Sequence, residues 1–215
     1  MLKIMKLDWN ALKYYHIRLL IIPLTLLVLG LFSSIYLVPL GVLLSFSFSI
    51  NSFLVEEKSD LNRLYLTLPI KRSHVVLSRY LLSLILSASG ALLGLSFMPL
   101  ANLFSFSKWY PDFKWSLALL SFSSLLYALM NLFMYPVLFK LGYQKGKIWG
   151  FYIPTILICL ALNAFLLAKG NLIFNLLVYA SEHFNTVICG TLISSAAVLT
   201  VSCLLSIRIY SRREF

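Results

Sequence analysis

Six long apolar stretches run through this chain, at 17–36, 37–55, 75–100, 115–139, 148–168 and 186–207, and none contains an aspartate or a glutamate. A helix crosses the roughly 30 Å of bilayer hydrocarbon in about 20 residues, so each stretch is long enough to span. Lipid offers no hydrogen bonds to the backbone, which leaves helices and closed barrels as the only spanning structures. Composition agrees, since 60% of the 215 residues are hydrophobic and 12% are charged, against about 25% charged in soluble domains. Mean hydropathy is +0.90, and about 215 residues are too few to hide that much apolar surface in a water-soluble core. The expectation is an all-α polytopic membrane protein of six transmembrane helices, forming a single transmembrane domain over residues 1–215.

The net charge of +11 comes from 18 basic and 7 acidic residues. If six spans alternate sides, 15 basic residues fall on the side of both termini and only Lys108, Lys114 and Lys169 on the other. The positive-inside rule then places both termini in the cytosol. These cations read as topology determinants and lipid-headgroup contacts, not as a nucleic-acid surface, because no basic run is interleaved with aromatics. Residues 2–15 set Leu2, Met5, Trp9 and Leu12 on one helical face, the pattern of an interfacial helix lying on the membrane. The first apolar run has no small-residue cleavage site, so it is expected to stay as a span. Leu172 to Tyr179 is apolar but too short to cross.

Several chemistries lack their residues. With every acid at a span end or in a loop, no proton relay crosses the membrane. His16, His74 and His183 are scattered, and Cys159, Cys189 and Cys203 lie in apolar runs without metal-ligand spacing. Glu56-Glu57 with Arg63 approaches the EExxxR pattern of intramembrane glutamate proteases, but five residues separate the glutamates from the arginine. Gly142 to Ile148 imitates a phosphate loop, yet it has three intervening residues instead of four and no hydroxyl after the lysine. The chain is therefore read as no enzyme, without a cofactor or metal of its own; energy for active work must come from a partner.

The connection after the second stretch, residues 56–72, reads EEKSDLNRLYLTLPIKR and is the densest charged segment. Leu61, Leu64, Tyr65 and Leu68 fall at i, i+3, i+4 and i+7, an apolar stripe on a helix of about two turns. Ser59 or Asp60 can cap it and Pro69 ends it. Arg63 flanks the stripe, and Lys71 and Arg72 mark the return to the membrane. A short cytosolic helix joined to two spans is a lever for whatever grips it. In the next span Gly90 and Gly94 form a small-xxx-small pair suited to close helix packing.

Phe53-Leu54-Val55-Glu56-Glu57-Lys58, then Leu66-Thr67-Leu68-Pro69-Ile70-Lys71 and Val75-Val76-Leu77-Ser78-Arg79-Tyr80, resemble the permease subunits of ABC-2 type ATP-binding-cassette transporters. The similarity is to the small branch that includes bacitracin-resistance, lantibiotic-immunity and phenol-soluble-modulin export permeases. It rests on about thirty residues of motif, and otherwise on the architecture of the whole chain. The resemblance implies a bacterial plasma-membrane protein that pairs with a second permease chain, as homo- or heterodimer, and with two cytosolic ATPase subunits that bind ATP and Mg. It assigns ATPase coupling to Glu56, Glu57, Asp60, Leu61, Arg63, Leu64, Tyr65, Leu68, Pro69, Lys71 and Arg72. The expected task is outward movement of a hydrophobic or amphipathic compound such as a peptide, an antibiotic or a lipid-like molecule. A second class stays open, a non-transporting immunity or scaffold protein that binds a peptide in the membrane.

Overall fold

The computed structural model of the chain describes residues 9–10, 22–26, 28, 37–58, 72–104, 113–154, 156–157, 160 and 183–212. Within them lie helices α1 (Leu37–Ser49), α2 (Asn51–Lys58), α3 (Arg72–Phe104) and α4 (Phe113–Lys147), a π-helical turn (Ile148–Tyr152), and helix α5 (Phe184–Ser211). Four runs among the described residues are long and apolar enough to cross a membrane: Leu37–Lys58, Arg72–Ala101, Phe113–Gly150 and Phe184–Ser211. The expectation of six spans is thereby corrected to four among the described residues. Stretches 17–36 and 148–168 supply no spanning helix of their own among these residues, and much of each lies outside them. Hydropathy reports where a segment prefers to sit, and a hydropathy sum alone does not make that segment a spanning helix. The placement of both termini in the cytosol rests on six alternating spans, and residues 1–8 and 213–215 lie outside the described residues. Of the expected interfacial helix only Trp9 and Asn10 are described.

Where the backbone breaks, local chemistry explains it. The α1–α2 run is interrupted at Ile50, where Phe53 N–H donates to the Ile50 carbonyl at 3.0 Å. Around the break the side chains of Ser49, Asn51 and Ser52 each donate to a carbonyl three residues earlier. Such back-bonding competes with the helical ladder and bends it. In α4 the break is Gly142, with φ 78° and ψ −176°, a left-handed backbone value that costs a residue with a Cβ. Beyond it the chain folds back on the helix it left. A Cβ on Gly146 would touch Leu138, and one on Gly150 would crowd Met134 and Val137.

Helices α1 and α3 are antiparallel and meet backbone to backbone. Gly90 faces Gly41 and Ser45, and Gly94 faces Leu37 and Val38; a Cβ on either would overlap a main-chain oxygen of α1. Close approach of this kind replaces the hydrophobic drive that helices lack in lipid. A second core is aromatic. Tyr135 of α4 is fully buried and lies within 4.7–6.2 Å, centroid to centroid, of Phe46, Phe53, Tyr80 and Phe139. Helix α5 joins through its small residues. Ser195, Ser202, Ser206 and Tyr210 are buried, while Ile193, Val201, Leu204 and Leu205 are exposed. Tyr80 Oη shares hydrogen bonds with Ser202 Oγ (2.6 Å) and Ser206 Oγ (2.8 Å). A helix with serines inward and leucines outward is packed for lipid, not for water.

Candidate functional site

The ends of α2, α3, α4 and α5 that carry Lys58, Arg72, Lys145 and Arg208 gather at one end of the bundle. Two long-range contacts fix this arrangement. Arg72 Nη1 donates to the Ser211 carbonyl at 2.9 Å, and Glu57 Oε2 accepts from the backbone N–H of Tyr143 (2.7 Å) and Gln144 (3.2 Å). Residues 59–71, the stretch that carries the expected coupling helix, begin and end between these anchors.

The acidic pair works in two directions, because adjacent residues on a helix point about 100° apart. Glu57, at the exposed edge, closes the first amides of the helix that starts after Gly142. Those amides have no intrahelical acceptor, and a carboxylate there also meets the positive end of the helix dipole. Glu56 turns inward. It is 5% exposed and pairs with Arg79, 1% exposed, through Oε2 and Nη1 at 2.5 Å. The guanidinium lies over the Phe53 ring, 4.2 Å from its centroid, and 5.7 Å from that of Phe139. An aromatic face attracts a desolvated cation by about 2 kcal/mol or more, which adds to the carboxylate in holding a charge away from water. A cavity of about 190 Å³ beside the pair is lined by Phe53, Glu56, Glu57, Gly142 and Tyr210 among others.

Of the expected coupling residues, Glu56, Glu57 and Arg72 are described, and the structure brings all three to this end. Asp60, Leu61, Arg63, Leu64, Tyr65, Leu68, Pro69 and Lys71 lie outside the described residues. Gly90 and Gly94 sit farther along α3, at the crossing with α1. Arg79 is the residue that sequence reasoning misplaced. Counted with the surface cations, it lies seven residues, or about 10 Å, inside α3 and is the charge around which α2, α3 and α4 assemble. The available signal was a lone arginine inside an apolar run with an acid at the end of the preceding one. Phe53 and Phe139 gave no signal among so many phenylalanines.

Residues 2–211 match the family model described as ABC-2 family transporter protein. No curated protein and no solved structure matches the chain. A match over nearly the whole length, on a chain of several spanning helices, carries one conclusion: this multi-pass all-α membrane protein belongs to the ABC-2 family of transporter permeases.

Proposed function

We propose that this chain is the transmembrane subunit of an ATP-driven exporter. Permeases of the family lack nucleotide-binding motifs and typically pair with ABC ATPase subunits, so ATP and Mg are held by the partner. In this reading the basic end faces the cytosol of a bacterial cell, in keeping with the positive-inside rule. The ATPase grips residues 59–71, and a second permease chain completes the pathway for a hydrophobic or amphipathic cargo.

The observation that carries the reading is the double anchorage of that segment. Its leading end is tied through Glu56 to α3 and through Glu57 to the reversal at Gly142, and its trailing end through Arg72 to the last turn of α5. A displacement of the segment is thus delivered to four helices at once. ATP binding in the partner supplies the displacement, and the bundle answers by changing how its helices meet those of the second chain.

The test is co-purification of the tagged chain with an ATPase subunit, followed by reconstitution and measurement of ATP hydrolysis with amphipathic peptides. Stimulation by a peptide, abolished by Leu64→Asp without loss of the folded permease, is the expected result. Absence of any ATPase partner, together with full function of Leu64→Asp, refutes it and favours a non-transporting peptide-binding role.

A further inference from the structure

In the half of the bundle away from the basic residues, α3, α4 and α5 leave a cavity of about 550 Å³ between them. Its floor is formed by Val42 and Tyr127 and its rim by the exposed Leu84, Leu92 and Leu192. The volume is that of a ligand pocket, commonly about 300–1,000 Å³. We propose that the groove is a binding site for one fatty acyl chain, supplied by a bilayer lipid of the leaflet opposite the basic end.

Three observations select this occupant. The first is length. The groove extends from Leu84 to Leu95 on α3, from Leu117 to Tyr127 on α4 and from Ile188 to Leu199 on α5. At about 1.5 Å per residue each wall is about 15–17 Å long, which is half of the roughly 30 Å hydrocarbon core, the depth of one leaflet. The second is chemistry. The hydroxyls that line the groove already donate inside the protein: Ser87 to the Leu84 carbonyl, Ser121 to that of Ala118, Ser124 to that of Ser121, while Tyr127 Oη is bonded to Ser83 Oγ. With no donor left over, the walls offer hydrocarbon contact and little to a peptide backbone or a headgroup. The third is supply. The rim lies on the outer face of spanning helices, where acyl chains are the solvent, and an unfilled groove forfeits the dispersion contacts of its lining atoms. The inference needs only the membrane-spanning helices and is independent of any ATPase.

The experiment uses the full chain in lipid vesicles doped with a phosphatidylcholine bearing a diazirine near the end of one acyl chain. After photolysis, the labelled residues are mapped by mass spectrometry. Label is expected at Ala91, Ser124 and Tyr127 at least fivefold above Phe122 and Ile193, which lie at the same depth, are exposed and face outward. Ala88→Phe, at the rim, should lower groove labelling at least fivefold and leave Ile193 within twofold, while Ser89→Phe changes neither. Even labelling of groove and outer face, or photolysis that instead joins Ala91 or Ser124 to a second copy or to another segment of this chain, overturns the proposal. If Ala88→Phe fails to fold, the distribution on the unaltered protein decides alone.

Discussion

Replacing Glu56 or Arg79 singly should destabilise the bundle far more than replacing both. Each side chain is almost fully buried and faces the other at 2.5 Å. Removing one partner strands a charge in a low-dielectric interior at a cost of about 3–5 kcal/mol, whereas exchanging both for apolar groups of similar volume is often neutral or favourable. Against a typical total of about 5–15 kcal/mol, either single change, Glu56→Leu or Arg79→Met, removes about a fifth or more of the stability. The pair Glu56→Leu/Arg79→Met should return to within about 1–2 kcal/mol of the unaltered protein, a coupling energy of at least about 3 kcal/mol. Arg79→Lys should fall between, because an ammonium keeps the charge but loses the planar stack on Phe53. The assay is a double-mutant cycle on chemical unfolding in detergent micelles. A double variant that loses the sum of the two single losses refutes the reasoning, since the two residues would then act independently. On the exporter reading proposed above, the same double variant separates stability from coupling: folded, but without the charge that ties α2 to α3, it should support ATP hydrolysis by an ATPase partner with less transport per ATP consumed.

Gly90→Ala should cost about 1–3 kcal/mol by pressing a methyl into the backbone of α1, whereas Gly190→Ala, with nothing within 4 Å, should be neutral or stabilising by up to about 1 kcal/mol; thermal unfolding of the two in parallel checks this. Glu57→Ala should cost about 1 kcal/mol and speed hydrogen exchange at the amides of Tyr143 and Gln144, its two donors, without changing exchange in the aromatic core. Gly142→Ala should lose about 1–3 kcal/mol, because φ 78° with ψ −176° is a backbone region open essentially to glycine alone, measured by unfolding in micelles.

Much of the architecture was legible because lipid imposes simple rules. The apolar runs at 37–55, 75–100, 115–139 and 186–207 coincide with helices long and apolar enough to span, since length and hydropathy are read directly from the sequence. The fold-back at Gly142 was not legible. A glycine between two spans reads as a loop, and only the positive φ and the packing of Gly146 on Leu138 reveal a reversal. The partner of Gly90 was equally hidden, because nothing local in the sequence connects it with Gly41. The acidic pair was visible as chemistry, but its division of labour depends on which neighbour each carboxylate meets, a fact of three dimensions.

Arg79 shows why the charge pattern of a membrane protein carries two kinds of information. Most of the described cations are exposed, and there each acts through long-range fields that tolerate movement. Arg79 instead has fixed partners: Glu56 from α2, the ring of Phe53 and, farther off, that of Phe139 from α4. A buried charge held this way strongly penalises relative motion of the three helices, because a shift of a few ångströms trades an ion pair for an unsolvated ion. The helix crossing of α1 and α3 at Gly90 is rigid for a different reason, backbone contact, and lies about eleven residues farther along α3, roughly 16 Å away. Between a charge clamp at one level and a backbone clamp at the next, α1–α2 and α3 move as one body. The aromatic core and Glu57 also hold α4 to that body, whereas α5 meets α3 through hydroxyl pairs, Tyr80 with Ser202 and Ser206. Such bonds average about 0.6 kcal/mol in a membrane, several-fold less than the about 3–5 kcal/mol lost when one partner of a buried ion pair is removed. The serine-rich seam between α3 and α5 is thus the weakest of these attachments, and Tyr80→Phe, which weakens it without touching either clamp, should raise the rate of conformational exchange measured between labels on α3 and α5 while leaving α1–α3 distances fixed.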